Sequence, residues 1–384
     1  MLRFILKRLV IAALVALTVS LLSFGLTYLS GDPAVALAGE GARQADIEVI
    51  RKRFGFDRPI PVQYLNWVGR ALTGDFGDSY YFGAPVGQLL MERFPQTATL
   101  GVMAIALAVA LSIPLGIVAA GQNLVILGGR EGIDLSVGGI VSLSAIVAGN
   151  LMNGSDSGIA LAIAGCIATG AFFGLVNGLG VTFLRIPPLV MTLGMLGVLQ
   201  GLLVVIRQGI PSGRAAPSLS QFVTQPFLFG LPGIIWLWLG VGLLMAFLLH
   251  RTVFGHRIYA IGSNEQAARM AGVPAARVRV MLFVLSGVFA AIAGICLLGY
   301  SGSSFANVGE QYMLPSIIAV VFGGTSLAGG KGGYTGTMAG AVMLVVLQSI
   351  LTTVNIDESG RQMIFGATLL VLMLFYGRGR AMRA

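Results

Sequence analysis

Stretches of roughly twenty apolar residues, the length an α-helix needs to cross about 30 Å of hydrocarbon, recur from one end of this chain to the other. They fall at 9–29, 97–120, 133–152, 159–184, 187–206, 226–249, 280–300, 312–328, 334–354 and 362–375. The alternating ten-residue segments of a membrane barrel are missing. Only 10% of the 384 residues are charged and 56% are hydrophobic, with mean hydropathy +0.89, far from the roughly 25% charged of a soluble domain. The expected fold class is all-α: a polytopic transmembrane helical bundle of about ten spans.

Charge then orients the bundle. The net charge of +9 comes almost wholly from three places: Arg3, Lys7 and Arg8; the segment 251–279, where five arginines meet only Glu265; and Arg378, Arg380 and Arg383. Basic excess beside spans marks the cytoplasmic side. Both termini and the 251–279 loop are therefore expected in the cytoplasm, and the basic balance reads as topology, with no call for nucleic acid. The N-terminus begins like a signal peptide, but its apolar run is long and lacks a small-x-small cleavage site, so an uncleaved span is expected. Between 30 and 95 the composition turns polar, with prolines at 33, 59, 61, 85 and 95. This is read as one folded periplasmic loop.

Within the basic loop lies YAIGSNEQAARMAGVPAARVR, residues 259–279. Asn264 is placed to cap a short helix with Glu265 in its first turn, and Gly272 and Pro274 are stop signals. A short capped helix between two spans offers a handle on which a soluble partner can push; the plainer reading is a solvated loop that orients two helices. The stretch YAIGSNEQAARMAGV resembles the cytoplasmic coupling segment of ribose-type sugar ABC permeases. So do GQNLVILGGREGIDLSVGGIVSLSA at 121–145, FGLVNGLGVTFLRIPPLVMTLGML at 173–196 and IIAVVFGGTSLAGGKGGYTGTMAGA at 317–341. By contrast GDPA at 31–34, RFGFDRPIPVQYLNWVGRALTGDFGDSY at 53–80, PVGQLLMERFPQTATL at 85–100 and IPLGIVAA at 113–120 resemble the N-terminal part of a dipeptide or oligopeptide ABC permease. The chain thus looks like a hybrid, with a dipeptide-permease-like segment over 1–120 and a sugar-permease-like transmembrane domain over 121–384. It departs from the commoner sugar-permease form in the added Arg130 and Glu131.

The resemblance implies ATPase coupling through Asn264, Glu265, Ala268, Arg269, Ala271 and Gly272. A translocation pathway is expected to draw on Asp134, Ser136, Asn177, Thr192, Gln200 and Thr325, because neutral amides and hydroxyls suit an uncharged, hydroxyl-rich solute. For each residue alone, interhelical hydrogen bonding is the plainer role, and Asp134 also fits a helix cap. The pairs Gly174/Gly178, Gly197/Gly201 and Gly336/Gly340 have the spacing of close helix packing. Cys166 and Cys296 read as packing residues, His250 and His256 as solvated interface residues, and no metal-ligand spacing occurs. GGTSLAGGKGG fails as a phosphate-binding loop, since Thr325 stands where the first glycine should and Gly332 follows Lys331.

Together these readings point to the permease subunit of an ABC importer in the bacterial inner membrane. It is expected to carry a monosaccharide such as ribose, with no catalytic residue or cofactor of its own. Its expected partners are a cytoplasmic ATPase that uses ATP, a periplasmic solute-binding protein, membrane lipid and a second permease copy or relative. Dipeptide import, a non-functional join of two genes and an ion-coupled secondary transporter are the alternatives, the last disfavoured by span centres nearly free of ionisable residues.

Overall fold

The computed structural model describes residues 17–22, 24–25, 32–39, 42–79, 82–129, 132–207, 213–305 and 307–381. The chain divides into two compact units, Met1–Met103 and Ala104–Ala384. Most of the expected first span at 9–29 lies outside the described residues, which are helical where they cover it, at 17–22 and 24–25.

The first unit contains α1 (Pro33–Ala38), α2 (Gln44–Phe54) and α3 (Ile60–Leu72). Asp32 starts α1 by accepting from the Ala34 amide at 2.9 Å, and its second oxygen holds Arg51 of α2 at 2.5 Å. Gly55, at φ 73°, closes α2 in the left-handed region. Tyr64 is buried and stacks edge-on with Phe24 at 5.4 Å. The segment is folded, as its composition predicts.

Helix α4 (Val86–Leu127) is 42 residues long, well beyond the expected 97–120, and carries Pro95 and Pro114 within it. Prolines inside a membrane helix are tolerated because no alternative satisfies the backbone in hydrocarbon, so neighbours accommodate the freed groups.

The rest of the second unit runs α5 (Val137–Met152), α6 (Ile159–Thr182), α7 (Pro188–Arg207), α8 (Pro217–Thr224), α9 (Gly233–Arg251) and α10 (Val253–Ser263). It continues with α11 (Glu265–Met270), α12 (Ala275–Ser301), α13 (Glu310–Phe322), α14 (Tyr334–Thr353) and α15 (Glu358–Ala381). Among the described residues five helices are long and apolar enough to cross a membrane, and three shorter apolar ones cover Ser112–Leu127, Val137–Met152 and Glu310–Phe322.

Two expectations are corrected here. The apolar run 226–249 does not begin as a helix: Pro226–Leu228 (β1) and Leu231–Pro232 (β2) form an antiparallel hairpin before α9. Phe229 and Gly230 turn it at φ 52° and 76°, a conformation that no helix continues through. The run 312–328 stops as a helix at Phe322, because Gly323 caps it and Gly324 takes φ 84°.

Helix α12 is the axis of the unit. Of its most apolar window 67% is buried, against 22 to 39% for the other four long helices. It meets α6 backbone to backbone. A methyl group added at Gly287 would collide with the carbonyl of Gly170, and one added at Gly170 with the carbonyl of Gly287. With no hydrophobic drive between helices in lipid, such close small-residue contacts supply the association. Gly174 and Gly178 extend the seam against Phe283 and Val280, and Gly336 and Gly340 pack α14 on Gly323 and Ala319 of the preceding segment. Gly197 and Gly201 do not: nothing lies within 4 Å of a methyl group built at either. Their spacing marks no packed seam within this chain. The thiol of buried Cys166 donates to the Ser144 carbonyl at 3.1 Å, and Cys296 is also buried.

Gly287→Val is expected to lower the thermal unfolding temperature of the purified protein sharply, since forced overpacking costs about 1–3 kcal/mol or more. Gly201→Val is expected to leave it unchanged. Equal melting of the two variants would remove the Gly170–Gly287 contact from the framework.

Candidate coupling segment and polar core

The basic loop folds as a chain of caps. Thr252 opens α10 by accepting from the Gly255 amide at 3.1 Å. At its far end Asn264 swings to an extended φ of −158°, breaks the helix, and accepts from the Ala267 amide at 3.0 Å to start α11. That is the cap its position predicts. Gly272 at φ 80° and Pro274 then end the turn and release the chain into α12.

Glu265 ties this device to the bundle. One oxygen accepts from Arg269 at 2.6 Å and the other from Arg279 of α12 at 2.5 Å. Partial burial pushes its carboxyl upward, but the bonds and charges of Arg269 and Arg279 outweigh it and leave the group below its usual range. Ala268 is buried against the bundle, whereas Asn264, Arg269, Ala271 and Gly272 are exposed. The tip also carries Met270, 83% exposed. Sequence reasoning passed over this residue, although a methionine within a polar loop was a legible signal for an adaptable contact.

The segment reaches two further elements. The Tyr259 hydroxyl donates to the Gly332 carbonyl at 2.8 Å, and the Gly330 amide donates to the Leu127 carbonyl at the end of α4 at 3.0 Å. Gly262 sits between them, where a methyl group would meet both the Leu127 carbonyl and the Gly330 amide. The glycine-rich loop joining α13 to α14 is thus a tight turn, with Gly324, Gly329, Gly330 and Gly332 at positive φ. Lys331 is exposed upon it. The coupling-like segment, the end of α4 and this turn share one contact node.

Deeper in the bundle, Asp134 is fully buried. One carboxylate oxygen accepts from the Ser136 amide at 3.0 Å and hydroxyl at 2.6 Å, and the other from the Ser286 hydroxyl at 2.8 Å. Asn177 donates to the Ser136 hydroxyl at 2.8 Å. The Gln122 side chain accepts from the Asp134 amide at 3.2 Å and donates to its carbonyl. Ser136 itself is the N-cap residue of α5 and makes no side-chain cap bond. Asp134 therefore holds the loop ahead of α5 and does not cap that helix.

Of the six pathway candidates, Asp134, Ser136 and Asn177 come together in this cluster. Thr192 is buried and donates to the Pro188 and Ile133 carbonyls at 2.9 and 3.3 Å. Thr325 belongs to a separate group, in which Asn123 donates to the Thr325 and Thr337 hydroxyls, each at 2.9 Å. Gln200 stands apart on an exposed face, donating to Glu310 at 3.1 Å. Ser286, Gln122 and Asn123 were missed. Two adjacent amides in an apolar run were the signal for the last pair. Arg130 and Glu131 lie outside the described residues.

Two family models match the sequence, overlapping at residues 83–101. One, described as "Branched-chain amino acid transport system / permease component", matches residues 83–373. The other, described as "Binding-prot-dependent transport system membrane comp, N-term", matches residues 1–101. The chain is 36% identical over 264 residues to the autoinducer 2 import system permease protein LsrC of Yersinia pestis (strain Pestoides F), covering 69% of this chain and 74% of that one. It is 36% identical over 267 residues to the protein of the same name in Shigella flexneri, covering 69% and 76%. No solved structure matches. A permease match of this extent displaces the ion-coupled secondary transporter as a reading of the chain. With most of its length in one family model and a relative matched over three quarters of that relative, this chain belongs to the branched-chain amino acid transport system / permease component family and is a multi-pass inner-membrane permease of the ABC importer class.

Proposed function

We propose that this chain is the translocating subunit of an importer for a small, uncharged, hydroxyl-rich solute, a monosaccharide such as ribose or the autoinducer 2 named for its relatives. The observation that carries the reading is the coupling node. A partner pressing on the exposed edge of α11 acts on a rigid, capped element bonded to α12 through Glu265 and Arg279. Helix α10, joined to α11 at Asn264, is seated against α4 and the glycine turn through Gly262 and Tyr259. Displacement of this segment is thereby delivered to α12, to the end of α4 and to the turn between α13 and α14. The chain needs no ATP site of its own in this scheme. A cytoplasmic ATPase supplies the push, a periplasmic binding protein delivers the solute, and a second permease copy or relative completes the pathway.

The neutral character of most of the core polar groups, Ser136, Asn177, Thr192, Ser286 and Thr325, supports an uncharged solute. Ten spans, with both termini inside, fit the basic segments. The family model over residues 83–373 runs across residue 120 without a break and gives no support to a join of two permeases there; dipeptide import is the second reading, on the N-terminal resemblance alone.

Uptake of labelled autoinducer 2, ribose, leucine and a dipeptide by cells carrying the system tests the substrate class. Import of either sugar-like solute alone is expected, and import of the dipeptide or leucine in its place would overturn the reading. Gly262→Ala is expected to cut solute-stimulated ATPase activity about tenfold or more while membrane insertion persists, and Lys331→Ala to leave it intact. Undiminished stimulation in Gly262→Ala would remove the node from the mechanism. Because the folded Glu265 carboxyl is lowered, its tie to Arg279 is fully present above the ordinary value of about 4.5 and is lost as pH falls through the lowered folded value. Hydrogen exchange of the 264–274 amides is therefore expected to stay slow from neutral pH down to about 4.5, once corrected for intrinsic pH dependence, and to accelerate only below it.

A further inference from the structure

Beside the coupling segment lies a cavity of about 340 Å³ whose walls carry three arginines, Arg185, Arg269 and Arg279. It is also lined by Gly128, Gly129 and Gly132, by Thr182 at the end of α6 and by Pro187 and Pro188 at the start of α7. Glu265 binds Arg269 and Arg279 together, so one carboxylate serves two guanidiniums. Among the described residues no acid pairs with Arg185. The Thr182 hydroxyl oxygen is buried and has no hydrogen-bond partner. Among the described residues the cavity therefore combines surplus positive charge, an unused hydroxyl and the positive end of the α7 dipole. Arg185 holds a left-handed φ of 56°, a conformation uncommon for a residue with a side chain.

The surroundings favour one kind of anion. Phe183 and Leu184, immediately before Arg185, are 66% and 72% exposed, and Leu189 and Val190, just after it, are 47% and 59% exposed. Exposed apolar side chains on spans flanking a basic cavity belong at the edge of the bilayer. The neighbouring arginines of the 251–279 segment put that edge on the cytoplasmic side. We propose that the cavity binds the phosphate headgroup of an anionic inner-leaflet phospholipid, with acyl chains lying over Phe183, Leu184 and Val190. Guanidinium forks suit phosphate oxygens, and basic pockets between helices on this side are where such headgroups are held. A phosphate there competes with Glu265 for Arg269 and Arg279, so the lipid sets how firmly α11 is fastened to α12.

The test uses the purified full-length protein in nanodiscs of phosphatidylglycerol mixed with phosphatidylcholine, with retained lipid counted by native mass spectrometry. It needs neither substrate nor ATPase, so its failure is separate from failure of the proposed transport role. Wild-type protein is expected to retain phosphatidylglycerol over phosphatidylcholine. Arg185→Gln is expected to reduce that retention about fivefold, the effect of one basic residue near an anionic surface, whereas Arg251→Gln leaves it unchanged. Thr182→Val, which removes only the unused hydroxyl, is expected to weaken retention in the same direction, and unchanged melting temperatures establish that both variants fold. Equal retention in wild type, Arg185→Gln and Arg251→Gln would overturn the site. Stabilisation by millimolar inorganic phosphate in phosphatidylcholine discs, with no preference for phosphatidylglycerol, would assign the cavity to free phosphate and overturn the lipid.

Discussion

A carboxylate with no exposed surface is the most demanding group in this molecule, and the arrangement of the second unit follows from satisfying it. Removing a charge from water is affordable only where several donors replace the water. Asp134 recruits Ser136 from its own loop and Ser286 from α12, while Gln122 of α4 grips its backbone and Asn177 of α6 completes the Ser136 hydroxyl. Four elements are thereby held in mutual register, although the side-chain oxygen of Asn177 stays buried without a partner. The glycine seam between α6 and α12 is what makes this reach possible. Only a backbone-to-backbone approach brings Ser286 and Asn177 close enough to share one cluster.

The same economy operates in the basic loop. A six-residue helix is far too short to persist alone, since nucleation is unfavourable and isolated helices below roughly 12–15 residues are marginal. Helix α11 exists because Asn264 caps it, Ala268 is buried beneath it and Glu265 anchors it to Arg279. Its stability is thus borrowed from the bundle, and force applied to it is returned to the bundle through the same bonds.

Much of this was legible in the sequence, and the reasons differ from residue to residue. The 251–279 loop could be read because caps and stops act over three or four positions: Asn264, Glu265 and Gly272 carry their roles locally. Span positions were legible for a similar reason, since hydrocarbon thickness imposes one length on any helix that crosses it. The hairpin at 226–232 and the early end of α13 were not, because apolarity places a segment in the membrane but does not distinguish helix from turn. Long-range partners were equally hidden. Nothing near Asp134 points to Ser286, 152 residues away, and Gln200 shares the chemistry of the pathway candidates yet faces outward toward Glu310. The spacing of Gly197 and Gly201 matches that of Gly174 and Gly178, but only a partner surface turns such a spacing into a seam.

Helix α4 runs unbroken from Val86 to Leu127, and the family model that covers residues 83–373 runs across it without a break. Continuity of a helix sets a physical condition on its register. Each residue inserted or lost rotates everything beyond it by about 100°, so a change of phase would turn Gln122 and Asn123 away from their partners and bury different faces. Both amides find partners, Gln122 at the backbone of Asp134 and Asn123 at Thr325 and Thr337. From Ser112 to Leu127 every residue is buried, so this stretch has no solvent- or lipid-facing side on which a phase error could be hidden. The register of the end of α4 is therefore set by its surroundings in the second unit, through its last four turns.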